Sequence, residues 1–163
     1  VGHMGLVRAL VAGSQHPLER WIEVFARRSP EDAAELAEKD ALDPACKRLV
    51  VELCHADGAW LAKRRNEGPE AFRHAAEELR ALVEMVRSAH PEVAVRVEPA
   101  LVPRFLYHNG VVFAGYSRKA PQPLLQGGRY DAMMRAHGRE LPAVGFSMDL
   151  WTWLDVLEAE ACR

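Results

Sequence analysis

The spacing of apolar residues changes at Pro91, and this change constrains the fold more than any other feature of the sequence. Before Pro91, apolar residues recur at intervals of three and four, most clearly over 72–86, as on one face of a helix. Just after Pro91, three valines within 93–97 alternate with other residues, which is the period of a strand buried on one face. Helices come first and strands second, so we predict an α+β fold with an antiparallel sheet.

The first part of the chain predicts several short helices. Four prolines precede its apolar stripes: Pro17, Pro30, Pro44 and Pro69. A proline is tolerated in the first turn of a helix, because its missing N–H has no partner there. Ser29 and Asp43 stand directly before two of these prolines and have side-chain oxygens that can cap a helix. We therefore predict that residues 5–90 form a helical region.

The second part, 91–163, predicts short strands separated by turns and helices. We expect first a strand at 93–97 and then a β-rich run at 105–116 with a turn at Asn109-Gly110. A strand at 124–126 that ends at Gly127-Gly128 comes next, followed by a helix at 130–137 closed by Gly138. The last elements are a strand at 142–146 and a closing helix that includes 150–157.

The charge of the chain argues against nucleic acid as a partner. With 21 basic and 23 acidic side chains, the formal net charge is −2, whereas nucleic-acid-binding surfaces are usually basic. The densest basic run, Lys63-Arg64-Arg65, is typical of a solvated helix end. No apolar run is long enough to cross a bilayer and no signal peptide is visible, so we expect a cytoplasmic protein with no membrane contact.

The three cysteines predict neither a disulfide framework nor a metal site. Cys46, Cys54 and Cys162 form no CxxC pair. Cys46 and Cys54 fall on the apolar side of a predicted helix, where a free thiol behaves as a small hydrophobe. Cys54 adjoins His55, but no further ligand follows at a spacing that suits a metal. We expect no cofactor and no metal.

Gly127-Gly128-Arg129-Tyr130-Asp131 is the best candidate for a ligand site. Two glycines at the end of a strand let a ligand approach the backbone closely. Arg129 offers a planar fork suited to a carboxylate, and Tyr130 offers an aromatic wall and a hydroxyl. The alternative is an ordinary glycine turn in which Arg129 and Asp131 form a surface ion pair.

Two further segments are expected near this turn. Tyr107 and His108 precede Asn109-Gly110, and His108 is more typical of a ligand contact or a turn than of a general base, since no residue nearby would orient its imidazole. Gly145 lies within a predicted strand, where a glycine marks close approach of the backbone. We predict that Tyr107, His108, Gly127, Gly128, Arg129 and Tyr130 line one pocket for a small polar ligand.

Together these segments resemble the catalytic domain of class II histidyl-tRNA synthetases. That family has an Arg-Gly-x-x-Tyr stretch, then Gly-Gly-Arg-Tyr-Asp, then Pro-Ala-x-Gly-Phe running into a helix that carries an arginine. The same order and spacing run from about Arg96 to Leu157, with Gly127–Asp131 and Pro142–Phe146 as the most specific parts. The resemblance implies a sheet of the class II synthetase type.

The departures from this family concern catalysis. Pro103 stands where the family has a catalytic arginine, Arg104 occupies the place of its glycine, and Leu106 replaces an acidic residue. Thr152 stands where the family has an arginine that clamps the phosphates of ATP. Activation of an amino acid by ATP requires positive charge on the transferring phosphates, so we predict a chain without catalytic residues.

A synthetase-like domain without these catalytic and ATP-binding residues resembles the regulatory subunit of short-form ATP phosphoribosyltransferase. That resemblance implies a non-catalytic role at the first step of histidine biosynthesis, with a catalytic subunit as partner, histidine as ligand, and a homo-oligomer within a larger hetero-oligomer. Two alternatives stay open: a degenerate synthetase that still aminoacylates, and a partner-binding module whose pocket is vestigial.

The ends of the chain suggest a segment of a longer protein. The first two motifs of the synthetase family are not found in the sequence, and no anticodon-binding domain follows Arg163. Residues 1–4, Val-Gly-His-Met, resemble a remnant of an expression vector, and we leave them out of the predicted fold. We expect residues 91–163 to be the C-terminal part of a synthetase-like domain whose exposed strand edges lead either to pairing with a second chain or to partial disorder.

Overall fold

The chain divides into two compact units, Val1–Val102 and Pro103–Arg163. A computed structural model describes residues 1–102 and 107–161, with side chains as far as Glu158. The first unit is mainly helical, and the second contains strands that alternate with helices. This order confirms the α+β class, with the helical region first.

The helices of the first unit begin close to where the prolines predict. Its elements are β1 (Gly2–His3), α1 (Met4–Leu10), α2 (Leu18–Arg27), α3 (Pro30–Glu38), α4 (Pro44–Leu53), α5 (Gly58–Arg64) and α6 (Glu70–Ala89). Ser29 caps α3 by accepting a hydrogen bond from the Asp32 N–H at 3.1 Å. Asp43 caps α4 through the Ala45 N–H at 2.8 Å. Both caps satisfy backbone donors that the helix itself leaves without partners.

The apolar stripes of these helices meet in one core. Trp21 of α2, Leu49 of α4, and Phe72 and Leu79 of α6 are each 0% exposed. The predicted stripe along α6 is therefore confirmed as core. Cys46 and Cys54 are free thiols within the same core, and burial raises the pKa of the Cys54 thiol to about 11. Both behave as the small hydrophobes that the sequence predicts.

Residues 1–4 are part of this unit, which corrects their exclusion from the predicted fold. His3 and Met4 are 3% and 1% exposed. The backbone nitrogen of Val1 donates to the Arg96 carbonyl at 2.8 Å, and the Glu98 N–H donates to the Val1 carbonyl at the same distance. That these residues come from a vector stays a prediction.

The segment 93–97 is not a strand, and this prediction was wrong. Val95 and Val97 do pack against the core, as the alternation predicts, whereas Val93 is 50% exposed. A strand requires a continuous ladder of backbone hydrogen bonds. In the described part of the chain, the backbone bonds that 93–99 makes to another element go only to Val1 and His3, too few to define a strand.

The second unit contains an antiparallel sheet. Its elements are β2 (Val111–Gly115), β3 (Leu125–Arg129), α7 (Asp131–Ala136), β4 (Val144–Met148) and α8 (Leu150–Ala161). β3 lies between β2 and β4, and both pairings are antiparallel. The prediction ended the middle strand at Gly127-Gly128, but β3 continues through both glycines to Arg129. Gly138 closes α7 with a φ of 75°, as predicted.

One face of β4 is apolar and exposed to solvent. Val144 and Phe146, which point to the same face, are 70% and 64% exposed. Within residues 107–161, β4 is paired with β3 alone. Exposed edge strands tend to pair with another chain, so the expected pairing stays a prediction that this geometry favours.

Candidate functional site

The candidate site is built on a row of three opposed residues across the sheet, two of which are glycines. Val112 of β2, Gly128 of β3 and Gly145 of β4 are directly opposite one another, so their Cα–Cβ directions share one face. A Cβ placed on Gly128 would lie 2.5 Å from Cδ2 of His108, and one placed on Gly145 would lie 2.9 Å from the Tyr130 hydroxyl. Each ring therefore occupies the space that a side chain would fill.

Three aromatic rings gather over this row. The rings of Tyr107 and His108 are stacked with centroids 4.5 Å apart, and Tyr130 meets both edge-on, at 5.6 Å from Tyr107 and 6.3 Å from His108. His108 is 5% exposed, whereas Tyr107 is 42% exposed. We call these three residues the aromatic cluster. Its members come from two separate segments of the chain, which we predicted from the sequence to line one pocket.

Arg129 and Gly127 face away from the aromatic cluster. Successive residues of a strand point to opposite faces, so both are directed away from the side of Gly128. A Cβ on Gly127 would meet the Gly145 carbonyl oxygen, Cβ of Phe146 and the tip of the Phe113 ring, and none of these belongs to the aromatic cluster. The structure therefore brings together Tyr107, His108, Gly128 and Tyr130, and it places Gly127 and Arg129 on the other face of β3. That these six residues bind a ligand stays a prediction.

Arg129 forms the ion pair that the sequence offered as its alternative role. Its Nε donates to Oδ2 of Asp131 at 2.7 Å, and its side chain is 44% exposed. The other oxygen of Asp131 accepts from the Ala143 N–H at 2.9 Å, and the Tyr130 N–H donates to the Ala143 carbonyl at 2.8 Å. These bonds fix the backbone of Tyr130 between β3 and β4.

The same bonds hold Asp131 in its charged form. The hydrogen bond from the Ala143 N–H lowers the pKa of the Asp131 carboxyl below its ordinary value. Partial desolvation opposes this shift, and the hydrogen bond and charge of Arg129 add to the lowering. Asp131 also begins α7, where a negative charge is favoured by the helix dipole.

Asn109 has a role that we did not predict. Its side-chain oxygen accepts from the Asp131 N–H at 3.1 Å, and its own N–H donates to the Arg129 carbonyl at 3.0 Å. Asn109 thus links the segment of Tyr107 and His108 to the end of β3. The Asn-Gly pair indicated a turn, and the tendency of asparagine side chains to bond nearby backbone at turns was the available signal.

Thr152 lies in the first turn of α8, where the synthetase family would place an arginine. The carboxylate of Asp149 accepts from the backbone N–H groups of Trp151 and Thr152 at 3.1 and 3.2 Å. The bond from Thr152 is the largest cause that lowers the pKa of Asp149. Position 152 thus contributes a helix cap and no positive charge. The other departures, at Pro103, Arg104 and Leu106, lie outside the described residues.

Residues 1–102 and 107–161 form neither a metal site nor a membrane-spanning helix. No three histidine, cysteine, aspartate or glutamate side chains come together there in a way that would hold a metal ion. No helix in those ranges has the length and apolar character required to cross a membrane.

Comparison with known proteins identifies the family. The family model for histidyl-tRNA synthetase matches residues 1–152. The chain belongs to this family. The ATP phosphoribosyltransferase regulatory subunit of Chromohalobacter salexigens is 37% identical over 158 residues, a match that covers 92% of this chain and 40% of that protein. The chain thus spans about 40% of the length of such relatives.

Solved structures agree with the family. A structure from Bacillus halodurans described as an ATP phosphoribosyltransferase regulatory subunit/histidyl-tRNA synthetase superposes with a TM-score of 0.73 at 26% identity, covering 90% of this chain and 40% of that one. Histidyl-tRNA synthetase from Nostoc gives a TM-score of 0.71 at 19% identity, covering 99% of this chain and 42% of that one, which shows the fold alone. The predicted class II synthetase type of fold is confirmed.

Proposed function

We propose that this chain is the ligand-sensing part of a regulatory subunit of ATP phosphoribosyltransferase, and that its aromatic cluster binds histidine. The observation that carries the proposal is the Gly128–Gly145 row with His108 and Tyr130 packed directly on it. Because these two positions of adjacent strands have no side chains, the rings of His108 and Tyr130 can pack closely against the backbone and meet on one face of the sheet. The relatives named as regulatory subunits support the role and supply the partner, a catalytic subunit.

The chemistry of the aromatic cluster suits an amino acid with an imidazole ring. Tyr107 has an exposed ring on which a planar group can stack, and aromatic faces attract an imidazolium cation. Tyr130 adds a hydroxyl, which can donate to a carboxylate and accept from an ammonium group. We assign Arg129 a supporting part, since it is bonded to Asp131 and acts on the ligand through the backbone of Tyr130.

We further propose that the site binds histidine without activating it. Activation transfers the adenylyl group of ATP to the carboxylate of the amino acid and releases pyrophosphate, and synthetases stabilise the negative charge on these phosphates with positive groups. Thr152 and the Asp149 cap offer none at the position where the family has an arginine. Exchange of pyrophosphate into ATP that depends on histidine and exceeds background would favour the alternative of an active synthetase.

Substitution of Tyr130 by phenylalanine tests the sensing role. A hydrogen bond to a charged group contributes about 1.5–3 kcal/mol, so we expect Tyr130→Phe to raise the histidine concentration for half-maximal inhibition of the reconstituted enzyme by about tenfold or more. Tyr116→Phe is the matched control, because Tyr116 is 68% exposed and lies outside the aromatic cluster. Equal inhibition of both variants and the wild type would indicate a vestigial pocket.

A further inference from the structure

A groove of about 440 Å³ lies between α5 and α6 in the first unit, apart from the aromatic cluster. Its floor is apolar, with Leu61 of α5 and Leu79 and Val83 of α6 at most 6% exposed. Ala59 and Ala62 line the α5 side, where their small side chains keep the groove open. The lining residues of α6 extend over 76–87, which is about 16 Å along the helix axis.

Arginines line the rim of this groove and continue along α6. Arg73, Arg80 and Arg87 are spaced by seven residues and share one side of α6, and Arg65 faces them from the end of α5. The acidic residues beside them are Glu77 and Glu84. Four arginines and two glutamates give this rim a formal net charge of +2, whereas the whole chain carries −2.

Most of the positive charge on the rim is not matched by carboxylates. Arg80 binds both acids, Glu77 at 2.6 Å and Glu84 at 2.5 Å. Arg73 donates to the Gly68 carbonyl and Arg87 to the Val95 carbonyl. Among the residues described, neither of these two nor Arg65 has a carboxylate within ion-pair distance. The rim is therefore complementary to an acidic surface.

The shape and charge of the groove together define its occupant. A groove about three helical turns long with an apolar floor suits the apolar face of a helix, and exposed arginines beside it suit carboxylates on that helix. We propose that the α5–α6 groove binds an acidic amphipathic helix of the catalytic ATP phosphoribosyltransferase subunit. The choice of partner rests on the proposed function. Docking here would connect the partner to the chain at a surface other than the histidine site.

Two substitutions test this docking surface in different ways. Ala62→Trp fills the groove, and Arg65→Glu reverses one rim charge; both residues are exposed. Binding of the full chain to the catalytic subunit is measured by sedimentation velocity, and we expect each variant to bind at least tenfold more weakly. The controls are Ala71→Trp and Arg20→Glu, at exposed positions outside the groove, which we expect to bind as the wild type does.

The possible outcomes separate this inference from the proposed function. A wild-type chain that does not bind the catalytic subunit would overturn the proposed function. Wild-type binding that neither Ala62→Trp nor Arg65→Glu weakens would overturn the groove alone. If these variants instead reduce self-association and leave the hetero-complex intact, the occupant is a second copy of the chain and the proposal is wrong.

Discussion

Replacing Gly128 with alanine is expected to disrupt the sheet of the second unit and to abolish the response to histidine. The added methyl group would lie 2.5 Å from Cδ2 of His108 and 2.6 Å from the carbonyl oxygen of Val111. The imidazole can shift, but the carbonyl belongs to a paired strand and cannot move without breaking the pairing of β2 with β3. Overpacking of this kind costs about 1–3 kcal/mol and sometimes more.

The effect is measured by urea unfolding followed by near-ultraviolet circular dichroism, which reports on the packing of the aromatic side chains, Tyr107 and Tyr130 among them. Gly13→Ala is the control, because a Cβ at Gly13 meets nothing within 4 Å and its φ is not positive. We expect Gly13→Ala to unfold at the wild-type urea concentration. If Gly128→Ala also kept wild-type stability and histidine inhibition, the close packing of His108 on this glycine would be refuted.

Replacing Phe72 with alanine is expected to cost the first unit about 3–5 kcal/mol of its free energy of unfolding, the usual cost of truncating a buried aromatic residue. Phe72 is 0% exposed and meets the ring of Trp60 edge-on, with centroids 6.4 Å apart. The truncation removes apolar contacts and leaves a cavity in a core that six helices share. Urea unfolding monitored at 222 nm measures this loss, because most helical residues lie in this unit.

Met85→Ala on the same helix is the control for this substitution. Met85 is 66% exposed, so its truncation is expected to change the unfolding free energy by no more than about 0.5 kcal/mol. Below the urea concentration at which the first unit unfolds, histidine affinity of Phe72→Ala should equal that of the wild type, since the aromatic cluster lies in the other unit. A similar loss for both variants would contradict the assignment of Phe72 to the core.

The helices were predictable because their signals are local. Ser29-Pro30 and Asp43-Pro44 give a cap and a compatible first residue within two positions, and the structure uses both. The stripe along α6 needs only the 3.6-residue period. The strand predicted at 93–97 failed because a strand depends on a neighbour elsewhere in the chain, and alternation alone does not supply one.

The candidate site was predictable only in part, because some of its signals are local and others depend on how the strands pair. Glycine pairs and aromatic residues marked two segments that the structure brings together, with His108 and Tyr130 over Gly128 and Gly145. Which face each residue occupies depends on where the strand ends. Because β3 runs through Gly128 to Arg129, the strand alternation turns Arg129 away from the aromatic cluster. A strand that ended at the glycines, as predicted, would not have fixed the direction of Arg129.

The most direct test of the central claim is a calorimetric titration of histidine into the protein, alone and with the catalytic subunit. We expect saturable heat from the wild type and from Tyr116→Phe, and affinity at least about tenfold lower for Tyr130→Phe. The absence of any histidine-dependent heat from the wild type, with and without the catalytic subunit, would contradict the claim that the aromatic cluster is a histidine site.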